Sequence, residues 1–246
     1  VFSPDDLEII KAGPSERRNY CDLLLATLFP IYSKTLSRYN RILSQKNAAL
    51  KSDFPENAEL FNEQLALFGA SVIKSRIELI KRLTPYAQKC FFDMAGERDS
   101  IELKYSCSFL EDNELSEEQI RDIFKNKLVD NAFKEKAAEA ALYGPHRDDV
   151  EIFINGKKAR SYASQGQQRS AVLALLLAKT ELIKNQTGKT PIILLDDVMS
   201  ELDLKRRNYL SQKIKGFQVF ITCCQQEFEI SAGKKFFVEN GKILEV

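Results

Sequence analysis

The sequence lacks the features of a disulfide-bonded, zinc-binding or membrane-spanning protein. Its five cysteines form no CxxC pair and the 246 residues include one histidine, which argues against a disulfide framework and a zinc site. No run of residues approaches the ~18 apolar residues that a membrane helix needs. Free thiols suit a reducing compartment, so we expect a cytoplasmic protein without a membrane partner.

The sequence also has no marked excess of positive or negative charge. The 36 basic and 35 acidic residues nearly cancel, so no overall field favours nucleic acid or a membrane surface. Any DNA contact must then come from a local patch. Lys34, Arg38 and Arg41 share one helical face, with Lys46 and Lys51 beyond them, and such a stripe could neutralise phosphates. A stripe of this kind is more often only a solvated face.

A phosphate-binding loop of the form GxxxxGK[ST] is absent. Residues 187–190 have its ending, but Ile183 stands where the first glycine belongs, and the segment precedes a strand instead of following one. We therefore predict a helix-ending turn there. The chain opens on Val1 and Phe2, which resemble the end of a strand, so we expect that a piece of the protein precedes them.

The first part of the chain has helical patterns. Apolar residues recur at helical spacing from Tyr20 onward, with an interruption expected at Pro30. A second helical stretch begins after Pro55 and is expected to end at Pro85. Two long consecutive helices favour a helical hairpin.

From Ile101 the period changes to that of strands. Residues 101–109 alternate, and a helix with a capping box at Ser116 is expected to reach about Leu142. Asn155 and Gly156 predict a hairpin turn between strands 150–154 and 157–162. The remaining elements are predicted as helix 165–185, strand 191–195, helix 202–214, strand 217–222 and a closing hairpin from residue 236. We predict an α/β fold with an inserted helical lobe, divided into residues 1–14, 15–95 and 96–246.

The sharpest chemical signal is the apolar run 192–195 followed by Asp196 and Asp197. Such a run is typical of a parallel strand buried on both faces, and ligands of parallel sheets lie beyond the carboxyl ends of the strands. Two adjacent acids there suit a Mg²⁺-nucleotide site, in which one holds the metal and the other orients water. The alternatives are a plain acidic turn or, more weakly, a Mg²⁺-dependent nuclease that also uses Asp203.

Residues 164–169 form a second candidate site at the start of the apolar helix. Ser164 offers a hydroxyl and Gly166 a close backbone approach, at a helix end where backbone N–H groups bind phosphate well. The alternative is an ordinary N-cap with a polar first turn.

Several motifs together resemble the RecF family in order and spacing. They are residues 2–7, 14–18, 144–149 (GPHRDD), 164–169 (SQGQQR) and 194–203 (LLDDVMSELD). The resemblance covers essentially the whole chain. It implies the C-terminal part of an ABC-type ATPase head like those of SMC proteins, in which two heads clamp ATP and Mg²⁺ between them.

The resemblance also implies residue roles and partners. Ser164, Gln165, Gly166 and Gln168 would form the signature that meets the γ-phosphate held by a second head. Asp196 would be the metal-side acid and Asp197 the catalytic acid that positions water, while Ser200 and Asp203 would belong to the D-loop at the dimer interface. The family loads recombinase at gapped or stalled DNA with RecO and RecR, so DNA, those two proteins and a second copy are the expected partners.

Two departures from ABC ATPases bear on activity. Cys223 follows the predicted strand 217–222, at the place where transporter-type subunits carry a histidine. The acid pair is Asp-Asp instead of Asp-Glu, and the shorter second side chain suggests slow ATP hydrolysis. A different reading is that this polypeptide does no chemistry and serves as a module that binds DNA or a partner protein.

Overall fold

The computed structural model describes residues 1–95, 99–223, 233–239 and 241–245. The chain divides into two compact units, one of Val1–Pro4 with Ile192–Val246 and one of Asp5–Pro191. The sequence predicts a division of the chain into residues 1–14, 15–95 and 96–246, according to the parts of an ABC-type head that the resemblance implies. That division stays a prediction. Each unit is described by itself below.

The larger unit opens with helices. A 3-10 turn at Pro4–Leu7 leads into α1 (Glu8–Lys11), α2 (Pro14–Leu28) and α3 (Pro30–Leu50), and a second 3-10 segment, Pro55–Phe61, precedes α4 (Asn62–Ala95). The predicted interruption at Pro30 is confirmed. Phe29 is extended, with φ −135° and ψ 91°, because the residue before a proline disfavours the helical region.

Helix α4 continues past Pro85, so the expected helix end there is wrong. Pro85 has no N–H to donate to the Lys81 carbonyl one turn earlier, yet the helix runs ten residues further. Phe91 and Met94 are buried in that last part. Their burial offsets the lost hydrogen bond, which no local signal in the sequence reveals.

The rest of the larger unit is mixed. It comprises β1 (Ile101–Ser106), α5 (Glu117–Asp130), α6 (Ala132–Ala138), β2 (Asp149–Ile154), β3 (Lys157–Lys158), α7 (Ala159–Tyr162) and α8 (Gln165–Thr187). The strands form an antiparallel sheet in the order β1-β2-β3, and α4 packs against α5 and α8. The capping box at Ser116 is confirmed. The helix expected to reach Leu142 breaks at Asn131 and ends at Ala138, because Glu139 is left-handed with φ 51°.

The Asn155-Gly156 turn is confirmed, with positive φ of 52° and 75° at its two residues. The second strand of the hairpin is much shorter than predicted. It pairs only through Lys157 and Lys158 before α7 begins. Of residues 157–162 only Ala159 is buried, so no row of apolar side chains holds a longer strand in place.

The smaller unit is a parallel sheet with a helical crossover, as predicted. It contains β4 (Ile193–Asp196), a 3-10 turn at Val198–Glu201, α9 (Leu204–Lys213) and β5 (Val219–Thr222), followed by the antiparallel hairpin of β6 (Phe236–Glu239) and β7 (Lys242–Glu245). Phe2 lies beside β4 as a further parallel neighbour, which agrees with the strand end expected there.

Strand β4 is buried on one face only. Ile193 and Leu195 are buried, whereas Ile192 is 56% exposed and Leu194 39% exposed. The expectation of burial on both faces is therefore wrong for the described part of the chain, whose residues cover one side of this strand.

The surface position predicted for Lys46 is wrong, because its side chain lies in the core. Its ammonium group forms an ion pair with Glu135 at 2.6 Å and donates to the Asn62 side chain at 2.8 Å. Glu135 Oε1 in turn accepts from the Leu142 N–H. A buried charge needs such partners, so Lys46 fastens α3 to α6 and takes no part in the surface stripe.

Candidate nucleotide and DNA sites

The acid pair stands at the carboxyl end of β4. Asp196 is exposed, and Asp197 turns the chain off the strand with φ 49°, a left-handed conformation. Asp197 Oδ1 is buried and accepts no hydrogen bond from any residue that the structure describes. A buried carboxylate oxygen without a donor is costly, which suits an atom whose partner arrives with a ligand.

Thr222, at the end of the neighbouring strand β5, contacts both acids. Its hydroxyl lies 2.5 Å from Asp196 Oδ1 and 3.1 Å from the Asp197 nitrogen. This residue belongs to none of the motifs that pointed to the site. A signal existed, because the carboxyl ends of two neighbouring parallel strands meet at one edge of a sheet.

The donor set fits Mg²⁺ bound together with nucleotide. The described residues contain no group of three or more His, Cys, Asp or Glu side chains that could hold an ion by themselves. Mg²⁺ needs no such group, because it commonly takes one or two carboxylates and completes its shell with phosphate oxygens and water. Asp196 and Asp197 supply that minimal set.

The segment after the acids is ordered by its own polar side chains. The Ser200 hydroxyl donates to the Asp197 carbonyl at 2.8 Å, and Asp203 caps α9 by accepting from the Arg206 N–H at 2.9 Å. That N–H, together with the nearby Arg206 charge, lowers the pKa of Asp203. The Asp203 carboxylate is thus occupied within its own helix, which disfavours the nuclease reading.

In the larger unit, Ser164 forms the N-cap of α8. Its hydroxyl accepts from the Gln167 N–H at 3.2 Å, and the Gln167 side chain accepts from the Ser164 N–H at 3.0 Å. The alternative prediction, that Ser164 is the N-cap of the helix, is therefore confirmed. It leaves the phosphate role open, since the exposed hydroxyl keeps its own proton to donate.

The other signature residues lie in the first turn of α8. Gln165 is exposed, Gly166 is partly buried, and the Gln168 side chain donates to the Ala163 carbonyl at 3.1 Å. Asp99 braces this turn, because the Gln167 amide lies 3.4 Å from both of its carboxylate oxygens. No pattern in the sequence indicates that contact.

Two motifs that resemble the family meet in a buried network. Arg17 pairs with Asp149 at 2.8 Å, and Arg18 donates to the Asp148 carbonyl at 2.8 Å. Arg76 donates to the Pro145 carbonyl at 2.6 Å. Residues 144–149 therefore connect α2 and α4 to the sheet, which is an architectural role.

Burial shifts two titrating groups of this network in opposite directions. It lowers the pKa of His146 to about 4 and raises the pKa of Asp148 to about 6. The Ala141 carbonyl, 3.2 Å from His146 Nε2, can only accept, so Nε2 carries the proton and Nδ1 accepts from the Tyr39 hydroxyl at 2.6 Å.

The basic stripe lies on the surface of α3. Lys34, Arg38 and Arg41 are all exposed, and none forms an ion pair with another described residue. Arg38 stacks over the Phe68 ring at 5.6 Å, which holds its side chain at the surface. Helix α3 has 21 residues and no acidic one, so nothing within it opposes an approaching phosphate.

The predicted site residues thus fall into three groups. The smaller unit brings together Asp196, Asp197 and Ser200, with Asp203 one turn on. The larger unit holds the signature residues at the start of α8 and the basic stripe on α3. No helix in the described part of the chain is long and apolar enough to cross a membrane.

Comparison with known proteins gives close relatives and no matching protein-family model. The chain is 39% identical over 249 residues to the DNA replication and repair protein RecF of Clostridium novyi, covering 99% of this chain and 68% of that protein. It is 41% identical over 257 residues to RecF of Halothermothrix orenii, with the same coverage. It therefore spans about two thirds of the length of these relatives.

Solved structures agree. A recombination mediator protein RecF with ATP, described as part of the RecFOR pathway, matches with TM-score 0.89 and 35% identity over 100% of this chain and 66% of that one. The Smc head domain from Pyrococcus furiosus matches with TM-score 0.50 and 17% identity over 99% of this chain and 60% of that one, which shows a shared fold. With relatives this similar along nearly its whole length, the chain belongs to the RecF family of DNA replication and repair proteins and has the fold of an ABC-type ATPase head.

Proposed function

We propose that this chain is the signature and acid-pair part of an ATP-dependent, dimerising DNA-repair switch. The remaining third of its relatives' length would supply the phosphate-binding loop that this sequence lacks. The intact protein would bind gapped or stalled DNA and, with RecO and RecR, help load recombinase there. The relative solved with ATP, in the RecFOR pathway, supports both the nucleotide and the pathway.

The observation that carries this proposal is the acid pair at the end of β4. Asp197 Oδ1 is buried and accepts no hydrogen bond within the described part of the chain, and Asp196 is exposed beside it. Bound Mg²⁺ would neutralise charge on the phosphates. Asp196 would hold that ion, and Asp197 would orient the attacking water and take up its proton.

Ser164 is proposed to act on nucleotide carried by a second copy of the protein. Its hydroxyl accepts the capping hydrogen bond and can still donate its proton to a γ-phosphate oxygen. The positive end of the α8 dipole favours the same anion. The resemblance to ABC-type heads implies that two heads clamp ATP between them, so this ligand is expected to arrive with the partner head.

The experiment that tests this proposal uses an extended chain, in which the phosphate-binding part of a RecF relative is joined ahead of Val1. In it, Ser164→Arg places bulk and positive charge where the γ-phosphate and the facing head must both fit. We expect ATP-driven dimerisation and hydrolysis to fail while the monomer still binds ATP. Light scattering with a non-hydrolysable ATP analogue and filter binding measure the two steps separately.

Ser161→Arg is the matched control. Ser161 is also exposed and lies three residues earlier, so it receives the same change outside the signature. If Ser164→Arg dimerised normally, or lost ATP binding as a monomer, the signature role would be wrong. The competing function, a module that binds DNA or a protein without chemistry, predicts instead that the extended chain binds DNA identically with and without ATP.

A further inference from the structure

The hydroxyl of Thr222 joins the two acids of the proposed nucleotide site. Thr222 pairs in register with Asp196 across the parallel strands β4 and β5. The Asp197 N–H can only donate, so the Thr222 oxygen accepts from it at 3.1 Å. The hydroxyl proton is then free to be donated to Asp196 Oδ1, 2.5 Å away.

This arrangement fixes both acids. Asp196 Oδ1 is taken by Thr222, which leaves Oδ2 as the oxygen open to a ligand. The Asp197 N–H is held by both the side chain and the carbonyl of Thr222, the latter at 3.2 Å. These two hydrogen bonds fix the backbone of Asp197, whose φ of 49° is a left-handed conformation that few residue types adopt readily.

We propose that Thr222 is a positioning residue for the metal, acting through Asp196 and Asp197. The inference rests on the proposed function, because it takes Asp196 as the Mg²⁺ ligand. In this role Thr222 would act without contacting the metal or the nucleotide itself. Hydrogen bonds of this kind orient a ligating carboxylate, and their loss commonly weakens metal binding by about 10- to 100-fold.

A simpler reading is that threonine is there only because branched side chains suit strands. Two substitutions separate the readings. Thr222→Val keeps the branched shape and removes the hydroxyl, whereas Thr222→Ser keeps the hydroxyl and removes the methyl group. Thr222 is exposed, so neither change empties a buried site. Thr190→Val serves as a control at an exposed threonine outside the sheet.

The test measures Mn²⁺ affinity by electron paramagnetic resonance in the extended chain with a non-hydrolysable ATP analogue. Thr222→Val is expected to weaken Mn²⁺ binding by about 10- to 100-fold, while Thr222→Ser and Thr190→Val bind as the parent does. A shape role predicts the reverse order, with Thr222→Val normal and Thr222→Ser impaired. Circular dichroism confirms that each variant is folded.

Asp196→Asn distinguishes failure of this inference from failure of the proposed function. If Asp196→Asn loses Mn²⁺ and Thr222→Val does not, Asp196 is the ligand and the positioning role is refuted. If Asp196→Asn binds Mn²⁺ like the parent, the metal role of the acid pair falls, and the role of Thr222 falls with it.

Discussion

Aspartate at position 197 suits both the left-handed backbone conformation of that residue and its proposed role as a carboxylate in the nucleotide site. Its φ of 49° lies in the left-handed region, where aspartate and asparagine are enriched over most other residues. The resemblance to ABC ATPases leads one to expect glutamate at this position. The shorter aspartate suits the turn, and it also sets the second carboxylate close to its own backbone, where Oδ1 is buried.

His146 and Asp148 make opposite contributions to stability in acid. The pKa of His146 is about 4 in the folded state against 6.5 ordinarily, so its contribution is present above pH 6.5 and lost as pH falls toward 4. The pKa of Asp148 is about 6 against 3.8, so its folded carboxyl binds a proton that the unfolded one releases. The Asp148 contribution is therefore present below pH 3.8 and lost as pH rises toward 6.

The variant Asp148→Asn should show the contribution of His146 to the pH dependence of stability without the opposing contribution of Asp148. The free energy of unfolding should fall more steeply in the variant than in the parent as pH is lowered from 6 to 4, because the opposing carboxyl has gone. The difference between the two curves should reach about 3 kcal/mol at most across this window. Urea unfolding at a series of pH values measures it, with exposed Asp130→Asn as control. Parallel curves for parent and Asp148→Asn would show that Asp148 titrates normally.

At the scale of elements, we propose that the basic stripe on α3 is the surface that contacts DNA. Its side chains at Lys34, Arg38 and Arg41 are exposed, and the helix carries no carboxylate. Replacing all three by alanine should weaken DNA binding about equally for all sequences and reduce the slope of log affinity against log salt by roughly 3. Fluorescence anisotropy from low to moderate salt measures both effects.

A second triple variant, Lys81→Ala, Lys125→Ala and Lys136→Ala, makes the same change in charge at lysines that already pair with Glu114, Glu63 and Glu59. It should retain most of the parent affinity and salt slope. Equal losses in the two triple variants would mean that overall charge matters and α3 does not. Unchanged binding in the α3 variant would make the stripe an ordinary solvated face.

Local signals predicted the elements whose geometry is decided locally. Pro30 separated α2 from α3, and Asn155 with Gly156 made the hairpin turn. The capping box at Ser116 and the N-cap at Ser164 began their helices. The acidic strand and the parallel crossover also followed from their patterns. In each case the deciding residues lie within a few positions of the feature that they set.

Tertiary packing decided what the sequence could not. Helix α4 continues past Pro85 because Phe91 and Met94 are buried in its last part. Lys46 is buried because it forms an ion pair with Glu135, which lies 89 positions later in the sequence. Thr222 reaches Asp196 across two paired strands. Contacts of this kind join residues far apart in the chain, and a pattern within one segment carries no information about them.

At the scale of the whole molecule, the 246-residue chain should hydrolyse no ATP. It contains no GxxxxGK[ST] loop, so the lysine and backbone N–H groups that hold the β- and γ-phosphates are missing from its sequence. Steady-state phosphate release with DNA present should equal that of its Asp197→Ala variant. Release above that variant would refute this prediction and imply a phosphate site of another kind.

The ion pair of Arg17 with Asp149 also has a consequence for how the chain is made. The two residues are 132 positions apart. A ribosome that adds roughly 5–20 residues per second needs roughly 7–26 s to travel that distance. During this time the Arg17 guanidinium lacks the Asp149 carboxylate with which it pairs in the folded chain. The helical segment can therefore complete its interior only late in translation, after the strand that begins with Asp149 has emerged.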